Sequence, residues 1–258
     1  MKLSEVLAIV WIAMLAISCS VKEDRDACPC RLWLDMSDVD TSVVKHAELV
    51  VTAPDGFLFR EILAAEDLKD GYVVEVPRGS VSVGVYDGAF GSVNDNGWLA
   101  IDYGNECPHV YMYSSVIEAR GEAMVEDVQM TKNHCIMTIH VQTEKAFPFR
   151  LEAKGMVDGY MPGGKPSVGE FMYAMYVDED GKCQLALPRQ ADNSLILEVH
   201  DDSGILRSFA LGEYVAASGY DWGEKDLQDL TVSLDYALTQ VVITVKDWSE
   251  EFVFDVVI

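Results

Sequence analysis

The stretch that decides the fold is Val74-Glu75-Val76-Pro77-Arg78-Gly79-Ser80-Val81-Ser82-Val83-Gly84-Val85-Tyr86. Valines alternate with small or polar residues on both sides of a Pro-Arg-Gly break. Successive side chains of an extended strand point to opposite faces, so Val81, Val83 and Val85 share one face while Ser82 and Gly84 take the other. A helix would scatter those valines around its circumference. Tyr72–Val76 therefore reads as a strand that stops at Pro77, and 81–86 as a half-buried strand after a turn.

Working outward, the same period recurs. Arg31-Leu32-Trp33-Leu34-Asp35 reads as a strand entering a core. Ala47–Ala53 and Phe57–Leu63 are two more strands, and Pro54-Asp55-Gly56 between them predicts a hairpin. Val110–Ile117 and Ala123–Met130 complete this half. A second series starts near Asn133: Ile136–Val141, Phe149–Val157, Phe171–Val177, Cys183–Leu187, Ser194–Val199 and Ile205–Leu211. Asp178-Glu179-Asp180-Gly181 and Asp201-Asp202-Ser203-Gly204 read as tight turns between neighbours. Leu230–Leu234, Val241–Val245 and Phe252–Ile258 close the chain. Turn signals recur about every 8–12 residues, the spacing of sandwiches and barrels. No long amphipathic helix appears, and Ala64–Lys69 reads as a turn at most. The expected fold is all-β, with two antiparallel β-sandwich domains in tandem, 28–131 and 132–258.

The chain has 258 residues, half of them hydrophobic, so a substantial core is possible. Its formal net charge is −24, spread evenly over both halves. That leaves no basic patch for nucleic acid and disfavours direct contact with an anionic lipid surface.

The amino end carries its own signal. Val6–Ile17 is unbroken apolar sequence, about 18 Å long as a helix, short of the ~30 Å of a bilayer core. It reads as the apolar region of a signal peptide, residues 1–18. Leu15, Ala16, Ile17 and Ser18 then precede Cys19, an arrangement similar to a bacterial lipoprotein signal. That similarity implies a thioether-linked diacylglycerol on Cys19 and an acylated mature terminus; more than one chain anchors stably. The competing reading is an ordinary secretory signal with an incidental cysteine. Residues 19–27 form a charged linker, within which Lys22-Glu23-Asp24 resembles the surface-export signal of Bacteroidetes lipoproteins.

With Cys19 acylated, five of the six cysteines remain, an odd number. Export permits disulfides. Cys28 and Cys30 flank Pro29 too closely to bridge each other, so the expected bridge joins one of them to Cys107. Their spacing is not that of a zinc finger, and no metal site is expected. Cys135 reads as a buried small hydrophobe.

Motifs for chemistry are incomplete. Gly159-Tyr160-Met161-Pro162-Gly163-Gly164-Lys165 approaches a phosphate-binding loop, but Pro166 stands where Ser or Thr should hold magnesium, and no helix pattern follows. It reads as a glycine-rich connection. His134 and His140 would share a strand face without an evident third ligand. The acidic turns at 94–97 and 178–181 lack the ligand spacing of a calcium loop. There is no GxSxG elbow, and carboxylate pairs arise by chance in a chain with 43 acidic residues. Neither catalysis nor a cofactor is expected.

Taken in order, Cys19 and its linker, Cys28-Pro29-Cys30-Arg31-Leu32-Trp33-Leu34-Asp35, the strand–turn–strand unit 74–83, and Val241-Val242-Ile243-Thr244-Val245-Lys246-Asp247-Trp248 before the last strand resemble the fimbrial anchor-subunit family of Bacteroidales, the FimB-type lipoproteins. The resemblance implies two transthyretin-like β-sandwiches without a catalytic site. It implies lipid anchorage at the outer membrane, exposed at the cell surface, at the base of a fimbria whose shaft is attached and limited in length. The implied partners are fimbrial shaft subunits, joined by main-chain hydrogen bonding along a sheet edge. Phe252, Val253, Phe254, Val256 and Ile258 are the strand-pairing candidates, set against an ordinary closing strand. The alternative function is a surface glycan-binding lipoprotein, with Trp98, Tyr103, Tyr111, Tyr113, Tyr160, Tyr220 and Trp222 as a possible aromatic platform.

Overall fold

A computed structural model of the chain describes residues 28–142, 147–235, 240–245 and 251–255. The apolar run, Cys19, the linker to residue 27, Val256 and Ile258 lie outside them.

The first half comprises β1 (Cys30–Asp35), β2 (His46–Thr52), β3 (Leu58–Ala64), α1 (Ala65–Asp70), β4 (Tyr72–Val76), β5 (Gly79–Asp87), β6 (Leu99–Ala100), β7 (Tyr111–Ala119), β8 (Ala123–Asp127) and β9 (Thr131–Lys132). The second comprises β10 (His134–Gln142), β11 (Arg150–Tyr160), β12 (Pro166–Tyr176), β13 (Lys182–Pro188), β14 (Ile196–Asp201), β15 (Gly204–Phe209), α2 (Leu211–Ala217), β16 (Leu230–Asp235), β17 (Gln240–Val245) and β18 (Glu251–Asp255). The architecture is all-β, two tandem transthyretin-like sandwiches.

In the first sandwich, a sheet ordered β4-β1-β8 packs on one ordered β3-β2-β5-β7-β9. Their facing sides share one core: Leu32 and Leu34 from β1, Leu49 and Val51 from β2, and Val81, Val83 and Val85 from β5. The alternating valines do what their period dictates. Opposite them, the Tyr86 ring lies over Gly84 and fills the space a side chain there would need. Its hydroxyl donates to Gly97 O at 3.2 Å.

The second sandwich repeats the plan. Sheet β13-β10-β16 continues into β17 and β18 and faces β12-β11-β14-β15. Strand for strand, β4-β1-β8 corresponds to β13-β10-β16, and β3-β2-β5-β7 to β12-β11-β14-β15. Each copy departs from a purely antiparallel sandwich in the same way. β1 pairs parallel with β8, Arg31 beside Ala123, and β10 pairs parallel with β16, Met137 beside Leu230.

The two cores are not equal. Val50, Tyr86 and Met112 point away from the first core and join the larger one. The connection from β5 to β7 follows them, burying Ala89, Val93, Leu99, Ile101, Cys107 and Val110 in the same cluster. This segment runs along the second sandwich. β6 pairs antiparallel with the end of β11, Tyr160 beside Leu99. Ile101 N donates to Asp158 O at 2.8 Å, Gly104 N to Met172 O at 3.0 Å and Cys107 N to Ala186 O at 3.0 Å. Gly159 permits the approach: its φ is 145°, and a Cβ there would lie 2.0 Å from Leu99 O.

Candidate functional site

Of the strand-pairing candidates, Phe252, Val253 and Phe254 fall on β18, which pairs antiparallel with β17. Phe254 stacks on Tyr214 of α2, ring centroids 5.0 Å apart, and packs against the larger core. Val253, on the opposite face, is exposed. β18 is thus the closing strand of its own sheet and its last member among the described residues. Two edges of the second sandwich, β12 and β13, are partly bonded elsewhere: segment 99–107 meets both and also pairs with the end of β11.

The expected Cys107 bridge is not formed. Cys28, Cys30 and Cys107 are free thiols. Cys30 is buried in the core of the first sandwich and Cys107 in the larger core, so two different packing units separate them. Cys107 instead donates to Pro108 O at 3.3 Å, and burial pushes its thiol far up. Cys135 is wholly buried, its thiol pushed up to about 12 by that burial.

The aromatic platform is not assembled. Tyr160 and Tyr220 are core residues. The Tyr160 hydroxyl accepts from Arg189 N at 2.7 Å and donates to Asn133 O. Tyr220 donates to Gln228 O and meets Trp222 edge to face. Tyr113 donates to Glu126. Of the seven rings, Tyr103 is the one with most of its surface exposed.

The motif-like turns resolve as connections. Met161–Lys165 is the hairpin turn from β11 to β12, closed by Met161 N donating to Lys165 O. Asp178 Oδ1 accepts from Asp180 N and Lys182 N, and Asn94 Oδ1 from Asn96 N and Trp98 N. Those oxygens hold turns. His134 and His140 do not act together: His134 is buried, stacked on His109 at 5.0 Å, its Nδ1 3.1 Å from Val110 O. Burial lowers its pKa to about 4, so it stands neutral.

A dense group of polar side chains lies on the outer face of the β12-β11-β14-β15 sheet. Glu152 and Glu198 sit directly opposite each other on β11 and β14. Such a like-charge pair is unfavourable unless neutralised. Lys154 Nζ lies 3.1 Å from Glu152 and 2.6 Å from Glu198, Arg150 lies 2.5 Å from Glu152, and His200 Nε2 is 2.9 Å from Glu198 and 3.3 Å from Glu152. Burial by itself would raise the Glu198 pKa, but hydrogen bonds from Lys154 and His200 hold it below the usual range. Glu152, Glu198 and His200 bring their ligand atoms within 4.8 Å, close enough for a cation. The Lys154 ammonium already supplies the charge, and the arrangement is an ion-pair network.

Beside this network is a cleft of about 440 Å³ lined by Pro148, Phe149, Arg150, Tyr176, His200, Asp201 and Asp202. A second, of about 520 Å³, crosses the outer face of β3, β2, β5 and β7 over Thr52, Ser80 and Ser82. Sequence reasoning found neither, because each is built from side chains on strands far apart in the chain.

The sequence matches no family model and no curated protein. Its structure matches several solved ones. The fimbrial anchor protein Mfa2 of Porphyromonas gingivalis superposes with a TM-score of 0.57 at 12% identity, over 86% of this chain and 98% of that one. A candidate polysaccharide-binding protein of Bacteroides thetaiotaomicron gives 0.60 at 15% identity, over 88% and 98%. A candidate adhesin of Bacteroides ovatus gives 0.56 at 15% identity, over 90% and 97%. The fold is shared with Bacteroidales fimbrial anchor proteins. The match takes in both sandwiches.

Proposed function

We propose that this chain is a lipid-anchored subunit at the base of a fimbria on the outer membrane, exposed at the cell surface. There it attaches the shaft, limits its length and supports adhesion without catalysis. The observation that carries the reading is the two-sandwich body and its likeness to a fimbrial anchor protein over 86% of this chain. The lipoprotein-like signal before Cys19 supports the same reading. Shaft subunits are the partners, met by β-strand pairing at a sheet edge. The outer edge of β18, where Phe252, Val253 and Phe254 lie, is the candidate. Val256 and Ile258 extend the same apolar segment.

Cells carrying the native chain and a Cys19→Ala variant test this. Mass spectrometry of the mature terminus is expected to find acylated Cys19. Electron microscopy is expected to find fimbriae on native cells and fimbriae shed into the medium by the variant. Fimbriae retained at unchanged length and number by the variant would overturn the anchoring role.

A further inference from the structure

The cleft beside the Glu152–Glu198 network has a composition that the anchoring role does not use. Arg150 of β11 pairs with Tyr176 of β12 on one side and with His200 of β14 on the other. Residues directly opposite in neighbouring strands point to the same face. Their neighbours Leu151, Met175 and Val199 are buried on the other side. Tyr176, Arg150 and His200 therefore form a row across three strands, its ends ~10 Å apart at two strand spacings. Tyr176 is 69% exposed at one end. At the other, the β14–β15 turn brings Asp201 and Asp202 to the rim.

The row is held from beneath. Arg150 is fixed by Glu152, and His200 by Glu198 and Glu152, with Lys154 bridging the two carboxylates. His200 Nε2 faces the two carboxylates, and Nδ1 is the ring nitrogen turned away from them. Asp201 Oδ1 accepts from Ser203 N, Ser203 Oγ and Gly204 N, which fixes the turn and leaves Asp202 exposed beside it. The cleft thus presents an exposed aromatic face, a guanidinium donor, an imidazole nitrogen and carboxylate acceptors. Both signs of charge are present, so an ion of either sign meets repulsion as well as attraction. A neutral polyhydroxylated ring meets neither: its hydroxyls donate and accept, and its C–H face lies against an aromatic ring.

We propose that this cleft is a binding site for one neutral sugar residue of a glycan, with Tyr176 as the stacking platform and Arg150, His200 and Asp202 as its hydrogen-bonding partners. The site is independent of the fimbrial role and separate from the aromatics first considered for sugar binding.

The test uses the purified full chain against a printed array of neutral and acidic oligosaccharides. Saturation-transfer NMR with the monosaccharide that ends the best-bound glycan follows. A neutral terminal sugar is expected to bind, with its ring protons receiving saturation. Tyr176→Ala is expected to weaken binding about tenfold, the loss of roughly one aromatic contact. Tyr176 is exposed, so this change leaves the fold intact, which an unchanged melting temperature verifies. Asp202→Asn is a second exposed change and should also weaken binding. Val168→Ser, at the far end of β12, should leave it unchanged. Absence of binding to any array sugar, preference for acidic sugars, or affinity unaltered by Tyr176→Ala would each overturn the proposal.

Discussion

At the residue scale, His134 shows how burial turns a side chain into a stability term. Its folded pKa of about 4 lies below the unfolded value near 6.5. As pH falls, the unfolded chain takes up the proton first. Stability is full above about pH 6.5, is lost between there and pH 4, and then levels off. At 1.36 kcal/mol per unit the loss is about 3 kcal/mol. Urea denaturation at pH 7 and pH 4 should therefore show a smaller pH dependence for His134→Leu than for the native chain. The variant leaves Val110 O bonded by Asn133 N. An equal pH dependence in both would contradict the assignment. The sequence sets His134 beside His140 on one strand face but does not mark it as buried, because its environment comes from His109 and Val110 on another segment.

Among the elements, β5 was the most legible and also held something the pattern concealed. The valine period placed its buried face correctly, and β2 and β3 pair as the hairpin expected around the Pro54–Gly56 turn. Gly84 read as a neutral outward residue. In the folded chain it is the floor beneath Tyr86, and an added Cβ would lie 2.4 Å from that ring. Tyr86 is 2% exposed and has nowhere to move. Gly84→Ala should cost about 1–3 kcal/mol, the range for overpacking. The cost should shrink in a Tyr86→Ala background, which a double-mutant cycle in urea would measure. Helices were less legible. Ala65–Asp70 forms one short helix where a turn was expected, with Asp67 accepting from Ala64 N. Leu211–Ala217 forms another just past the strand that was read to end at Leu211. Elements of so few turns carry little periodicity.

For the whole molecule, two sandwiches were readable from the spacing of turns, but their fusion was not. Segment 88–110 has no period of two because its bonds go to residues 158, 172 and 186, far away in sequence. The parallel pairings were hidden for the same reason: β1 and β8 stand some ninety residues apart. Since Val50, Tyr86 and Met112 complete the larger core, neither half buries its surface alone. Calorimetry should find one cooperative transition; two separate transitions would mean that the halves are thermodynamically independent. Gly159→Ala, which drives β11 away from β6, should lower the transition or split it.

The position of β1 has a mechanical consequence. It is the first described strand, and it is hydrogen bonded on both sides, antiparallel to β4 and parallel to β8. A pull on the chain ahead of Cys30, directed along the strand, loads both ladders in shear, so their bonds resist together instead of opening one after another. The first strand of the body is thereby built to bear tension.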